Sequence, residues 1–522
     1  MNNRYNTSGK TAHSPDTSVI KVHTEKSKLG VLKTLFVVFL ILLQIAILSF
    51  LYAWLINVFR GYIILSLVLS VISAVVILSS KRNPSSKAVW VFITLVLFIV
   101  GFILCILSDE RVFFGKSKRK YRKVFANAEK YKQATSVENY GGERTQEDCE
   151  YLLHTGGFEP YTNTKMQYFP SGGLLFDNIL ARIEQAKRFV FIEYFIISDG
   201  VLLDRFINIL SEKAKKGVDV RIIYDDMGSH SVLSHKVKKR ISASGIKLQA
   251  FNRLVPVVNL GLNFRDHRKI VVVDGKTAYT GGANLADEYT NETRMFGYWK
   301  DAGVRIDGQA VDGFSLIFLR QWEFLTNASE DYGVFLNLYE KAENTSVAVP
   351  YACGLDYDTP VGKEMYLNII AKTQQRLFIM TPYLVPDESI MNMIINKARS
   401  GVDIRIILPG IPDKSYVYMV SVDNAKKLCN AGVKIYFMQD SFVHSKNVLS
   451  DYCAVIGSCN FDMRSFYQQF ESMLYTDDKS IMESLEQDFE KTFTLCDRDK
   501  FKKDTIISKI IMGVLKIASP LM

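Results

Sequence analysis

Cysteine and histidine are both scarce, with seven of each in 522 residues. The cysteines (Cys105, Cys149, Cys353, Cys429, Cys453, Cys459 and Cys496) are odd in number and form no CxxC pair. That pattern argues against a disulfide framework and against a zinc site. Free thiols in a reducing, cytoplasm-facing catalytic part are the simplest reading. The histidines are scattered, so no histidine metal cluster is expected, and no cofactor. Charge is sparse too, at 23% of residues, yet the balance is +10. A basic excess suits nucleic acid, an anionic membrane surface or a phosphorylated substrate, and equally a solvated basic face. The length allows two or three domains.

Charge is absent altogether from three long runs, 34–56, 61–80 and 88–108. Each approaches the length of a membrane-crossing helix. Trp54 and Trp90 lie near run ends, where aromatic belts form. Three such runs in succession do not fit a soluble core, and the first is too long for a cleaved signal peptide. A multi-pass membrane protein is therefore expected, and a nuclease is not. The flank before the first run holds Arg4, Lys10, Lys21, Lys26, Lys28 and Lys33, and the last run is followed by "RVFFGKSKRKYRK". Three full spans would put these basic flanks on opposite sides, against the positive-inside rule. The favoured version puts both on the cytoplasmic side, with one run re-entrant or interfacial. The expected organisation is a polar, disordered cytoplasmic tail (1–33), a membrane region (34–108) and a basic linker (109–145). Residues 111–123 of that linker read as lying against anionic lipid headgroups, or as solvated.

Downstream, strand-like apolar runs alternate with amphipathic helical ones, the mark of an α/β fold. The pattern also repeats. "KKGVDVRIIYDD" (215–226) matches "RSGVDIRIILPG" (399–410), and "SASGIKLQAF" (242–251) matches "CNAGVKIYFM" (429–438). Two halves follow, 146–330 and 331–500, with mixed sheets flanked by helices. The tail 501–522 has an apolar face at helical spacing, for packing or for the bilayer interface.

Each half carries His-x-Lys-x4-Asp: His267, Lys269 and Asp274, then His444, Lys446 and Asp451, 177 residues further on. A strand puts each His and Lys on one face. Gly281-Gly282-Ala283-Asn284 and Gly457-Ser458-Cys459-Asn460 follow the two motifs. This set suits displacement at a phosphodiester. Lys269 and Lys446 would neutralise phosphoryl oxygens, and Asn284, Ser458 and Asn460 would add hydrogen bonds. One imidazole would attack phosphorus, and the other would protonate the leaving alkoxide and later deprotonate the incoming alcohol.

Doubled in this way, the motif resembles that of the phospholipase D superfamily, H-x-K-x4-D-x6-G-[GS]. "NFRDHRKIVVVDG", "GYWKDAGVRIDG", "FVHSK" and "CNFDMRSF" are similar to its bacterial cardiolipin synthase branch. That resemblance implies transfer of a phosphatidyl group from one phosphatidylglycerol to another, giving cardiolipin and glycerol through a phosphohistidine, without metal. It also implies that Asp301 and Glu471 orient the imidazoles, and that His267 is the nucleophile. The motif aspartates, grouped with the catalytic set, read as closing hairpin turns. Alternatives are another phosphatidyl acceptor, water, or a lipid-binding scaffold without activity.

The second motif reaches its glycine one residue sooner than the first, and the shortening is expected to fall in the turn at Asp451-Tyr452. Asp225-Asp226 reads as a loop cap rather than a metal site. Arg265 and Arg268 read either as headgroup ligands or as ion-paired residues. His230 and His235 read as exposed.

Overall fold

The computed structural model describes residues 38–131, 140–254, 264–340 and 342–499, apart from 41, 56, 59, 81–83, 108 and 109, together with 501, 512, 513 and 515. The tail 1–33 and nearly all of 501–522 therefore lie outside the described residues. Met512 and Leu515 pack beside Val417 and Val420.

At the N-terminus, Val38–Leu55 is one helix long and apolar enough to cross a membrane. The apolar stretches Ile64–Ser79 and Ser86–Leu97 are shorter by the same measure. They belong to helices Arg60–Ser79 and Pro84–Leu107, which pack together around Ile77, Trp90 and Cys105. The basic stretch expected as a linker forms helix Glu110–Ala128. Tyr121 buries its ring against Phe324 at 3.8 Å and donates to Gln321 Oε1 at 3.0 Å, which docks this helix on helix Val311–Thr326.

The first half contains β1 (Thr164–Phe169), β2 (Phe189–Tyr194), β3 (Asp219–Asp225), β4 (Lys247–Phe251), β5 (Arg265–Asp266), β6 (Lys269–Val273), β7 (Thr277–Gly281), β8 (Tyr298–Lys300) and β9 (Gly303–Gly308). Its sheet runs β1-β9-β7-β6-β2-β3-β4. β2, β3 and β4 are parallel, and the other pairings are antiparallel. The second half contains β10 (Ala348–Cys353), β11 (Arg376–Met380), β12 (Leu384–Val385), β13 (Asp403–Pro409), β14 (Lys434–Met438), β15 (Ser441–Val443), β16 (Asn447–Ser450), β17 (Ala454–Gly457), β18 (Phe461–Asp462), β19 (Gln469–Thr476) and β20 (Cys496–Arg498). Its sheet runs β10-β19-β17-β16-β11-β13-β14-β20, the same path with one strand added at the edge. The halves are thus two copies of one mixed α/β unit.

Alternation along β6 explains its unbroken apolar run. Ile270 and Val272 face a core shared with the second half, alongside Val349, Ile379 and Val455. Val271 and Val273 face a core built from the first half, to which the second half adds Phe442. The hairpin β6–β7 turns through Asp274 (φ 55°) and Gly275 (φ 67°), both left-handed, which suits an Asp-Gly pair. In the second half Val273 and Thr277 are matched by Ser450 and Cys453. The missing residue is lost from the turn, as expected, and β16 keeps its register with β11 from Asn447 onward.

Candidate active site

Two short strands cross between the halves and build the site. β5 pairs in parallel with the start of β19, Asp266 opposite Phe470. His267 N–H then donates to Phe470 O at 2.8 Å, which brings His267 level with Glu471. β15 pairs in parallel with β8, Val443 opposite Lys300. His444 N–H donates to Lys300 O at 2.7 Å, which brings His444 level with Asp301. Each imidazole is thereby matched to a carboxylate of the other half. His267 Nδ1 lies 2.9 and 3.0 Å from the oxygens of Glu471, and His444 Nδ1 lies 2.7 Å from Asp301 Oδ2. A carboxylate on Nδ1 sets the tautomer and leaves Nε2 for chemistry.

All four groups are buried, and burial governs their protonation. It pushes His267 well below the usual imidazole range, with Lys269, Lys446 and His444 acting in the same direction. His444 is pushed down to about 3, by burial and by Lys446, against the opposing pull of Asp301. Both rings are therefore neutral before a substrate anion arrives. Lys269 falls to about 7 and Lys446 to about 8, chiefly through burial. The carboxylates differ. Burial holds Glu471 well above the ordinary range. Burial pushes Asp301 up as well, but His444 and Lys446 outweigh it and hold the carboxyl low.

The lysines fold back beside their histidines. Lys269 Nζ donates to His267 O at 2.5 Å, and Lys446 Nζ donates to His444 O and approaches His444 Nδ1 at 2.7 Å. Aromatic rings wall the imidazoles. Phe195 stands 5.0 Å from His267, and Tyr289, Trp299 and Phe442 stand 5.1, 5.7 and 5.9 Å from His444. Trp299, inside "GYWKDAG", and Phe442, inside "FVHSK", had a sequence signal through Asp301 and His444 close by.

Asp274 and Asp451, grouped with the catalytic set from the motif, do not reach the imidazoles. A strand of five residues separates Asp274 from that end, and one of four separates Asp451. Asp274 accepts from the backbone N–H groups of Lys187, Arg188 and Phe189 at 2.8, 2.7 and 3.0 Å. Asp451 accepts from Gln374 and Gln375 at 2.9 and 3.2 Å and pairs with Arg144 at 2.6 Å. Both tie a hairpin turn to the start of the neighbouring strand. Ser458 is also displaced from its expected part, since its hydroxyl donates to Glu471 Oε2. Its counterpart is Gly282, where a Cβ would meet Asp301 Oδ1 at 2.2 Å. The shorter aspartate needs that space, and the longer glutamate leaves room for a serine. Asn284 holds Ile196 N–H at 3.2 Å and donates to Tyr289 Oη at 2.6 Å. Asn460 donates to Asp462 at 3.0 Å.

The ambiguous residues resolve. Asp225 caps the turn after β3 through Met227 and Gly228 N–H, both at 2.9 Å, and holds Asp266 N–H at 3.0 Å. Arg265 is buried against Asp225 at 3.4 Å, and Arg268 against Asp356 and Glu193 at 3.6 and 3.8 Å. Neither arginine is a rim residue. Among the described residues no group of three or more His, Cys, Asp or Glu could hold a metal ion.

Comparisons with known proteins agree with this architecture. The family described as "Cardiolipin synthase, PLD-like domain" matches residues 179–298 and 366–493, one segment in each half. An uncharacterized protein of Streptococcus mutans is 35% identical over 461 residues, 86% of this chain and 99% of its own length. A cardiolipin synthase of Clostridium perfringens is 31% identical over 458 residues, 85% of this chain and 95% of that one. A Staphylococcus aureus cardiolipin synthase is 30% identical over 482 residues, 89% and 97% of the two chains. A solved phosphatidylserine synthase from Haemophilus influenzae superposes with a TM-score of 0.56 at 14% identity, over 73% of this chain and 98% of that one, a likeness of fold. The chain belongs to the cardiolipin synthase family of phospholipase D-like proteins.

Proposed function

We propose that this protein is a phosphatidyltransferase that makes cardiolipin and glycerol from two phosphatidylglycerol molecules. The observation that carries the reading is the crossed arrangement of two His–carboxylate pairs, each with a lysine, in one buried place. One histidine Nε2 attacks the phosphorus of the first lipid and the bond to its terminal glycerol breaks. The second imidazole, charged once the anion is bound, gives its proton to the departing alkoxide. The same imidazole then takes the proton from the free glycerol hydroxyl of a second lipid, whose oxygen attacks phosphorus and frees the first histidine. By family resemblance His267 is the nucleophile and His444 the acid and base. Lys269 and Lys446 neutralise the phosphoryl oxygens, and the second amide N–H groups of Asn284 and Asn460 supplement them. Asp301 and Glu471 stabilise each imidazolium as it forms.

The membrane part fits the same reading. Val38–Leu55 is taken as one span and one of the helices Arg60–Ser79 and Pro84–Leu107 as a second, the other lying re-entrant or interfacial, so that this multi-pass anchor returns the catalytic halves (146–330 and 331–500) to the cytoplasmic side. Anionic lipids would attract the exposed Arg119, Arg122 and Lys123 of the docked basic helix.

Purified full-length protein in phosphatidylglycerol vesicles tests the reading: it should release glycerol and form cardiolipin in equal amounts. His267→Ala and His444→Ala should each abolish both products. Well-folded protein that forms no cardiolipin, or either variant turning over normally, would overturn it. Competing alcohols, followed by product analysis, separate a dedicated acceptor site from a general one.

A further inference from the structure

Large apolar side chains are exposed at the end of the molecule where the imidazoles lie. Lys269 pairs with Tyr194, the last residue of β2, so the loops that follow β2 and β3 border the site. Met227, in the loop after β3, is 42% exposed, and Val232 is 37% exposed. They stand close behind the chemistry. The Phe195 ring that touches His267 also lies against Gly228, where a Cβ would meet it at 2.8 Å. On the other side Met295 is 63% exposed. Its neighbour Phe296 packs on Trp299 and Phe442 at 6.1 and 6.2 Å, the two rings that face His444. Tyr416, 49% exposed, lies two residues after Lys414, whose ammonium stands over Tyr383 at 5.4 Å, and three after Asp413, whose charge acts on Lys446 of the site.

Cations are interleaved with these side chains. Lys236 and Lys239, on the helix after Val232, and Arg294, beside Met295, are exposed. Among the described residues none of these three pairs with a carboxylate. Exposed apolar side chains beside unpaired cations, ringing a buried site, match the two layers of an anionic bilayer surface. A substrate with two acyl chains leaves the lipid phase only at high cost, so its headgroup needs a path to the imidazoles that keeps those chains in the bilayer.

We propose that Met227, Val232, Met295 and Tyr416, with Lys236, Lys239 and Arg294, form a rim that docks the catalytic halves onto an anionic bilayer, mouth down. The proposal rests on the phospholipid chemistry argued above. Its test reads position without needing turnover. Bimane is attached in turn to Met227→Cys, Met295→Cys and Val334→Cys in a full-length chain whose half-buried Cys429 and Cys496 are serine. Val334 is the control. It is exposed, and it precedes Phe335, which lies against the Gly275 turn at the far end of β6.

In phosphatidylglycerol bilayers carrying a nitroxide-labelled lipid, bimane at 227 and 295 should be quenched about threefold more strongly than at 334. Equal quenching at all three sites, or contact of 227 and 295 with a second copy of the chain instead of lipid, would overturn the proposal. Independently, the double variant Met227→Asp and Met295→Asp should lose about tenfold in turnover of bilayer phosphatidylglycerol while keeping its rate on a soluble short-chain analogue. Equal losses on both substrates would overturn it. A protein that docks by quenching yet makes no cardiolipin sinks the functional reading and leaves the docking intact.

Discussion

Replacing Asp301 by asparagine removes one charge from a buried pair and, with the amide oxygen kept on Ala302, turns an NH2 donor toward His444 Nδ1. The carboxylate stands 2.7 Å from His444 Nδ1, and its other oxygen accepts from Ala302 N–H at 2.8 Å. An asparagine oxygen can keep the second bond, so the chain should fold. With the charge centres about 4 Å apart and an effective dielectric near 20, an imidazolium–carboxylate pair is worth about 4 kcal/mol. At about 1.4 kcal/mol per decade, losing it slows a step that needs charged His444 by about a thousandfold. Glu471→Gln should cost less, about ten- to a hundredfold, because burial already holds Glu471 toward its neutral form. The assay is release of labelled glycerol from phosphatidylglycerol vesicles, with the melting temperature measured on the same samples. Asp301→Asn protein that melts normally and keeps more than about a tenth of its turnover would refute the electrostatic argument. So would a Glu471→Gln variant more damaged than Asp301→Asn.

Gly282→Ala should cost about a hundredfold in turnover, because the new methyl occupies the place of Asp301 Oδ1 and crowds His444 O at 2.9 Å; steady-state kinetics with a melting curve checks it. Asp274→Ala should behave oppositely, losing about 2–4 kcal/mol in urea unfolding through three orphaned backbone N–H groups, with little change in turnover of the folded fraction. Lys269 binds its proton near pH 7 when folded and near 10.5 when unfolded. The unfolded chain therefore holds the extra proton between those values, and wild-type stability should rise with pH across that window. Lys269→Met should flatten the rise and gain about 1–2 kcal/mol at pH 7 while losing activity, read from melting curves between pH 6 and 10. Tyr121→Ala should free helix Glu110–Ala128 from helix Val311–Thr326 at a cost of about 3–5 kcal/mol, seen as faster proteolysis near residue 120.

The repeat was the most legible feature of this chain, because the matching segments fall in the same order in both halves and the two motifs sit at the same place in each. From it followed the α/β class, the two halves and the pairing of the motifs. The crossing of β5 and β15 to the opposite sheet was not legible. Strands of two and three residues carry no periodicity, and their partners lie about 140 to 200 residues away. The motif aspartates misled in one respect. Their fixed spacing from histidine reflects the length of a hairpin strand, and spacing alone does not separate a turn anchor from a reacting group. Ser458 read as a phosphate donor because sequence gives no hint that a glutamate from the next strand would claim its hydroxyl. Arg265 and Arg268 read either as headgroup ligands or as ion-paired residues; the ion pairs hold, but their burial among Asp225, Glu193 and Asp356 is a tertiary fact with no local signal.

The crossed pairing also governs when this protein can first act. His267 and Glu471 are 204 residues apart in the chain. At about 5–20 residues per second, a ribosome needs about 10–40 s to travel from one to the other. During that interval the first half is already emerging beside the membrane in which its substrates reside, with an imidazole that has no carboxylate and no partner histidine. A truncated product ending before β19 stays in the same condition for its whole life. On the proposed mechanism, such a phosphatidyltransferase would be kept inert by its order of synthesis and would become competent only when the last long strand of the second sheet is in place.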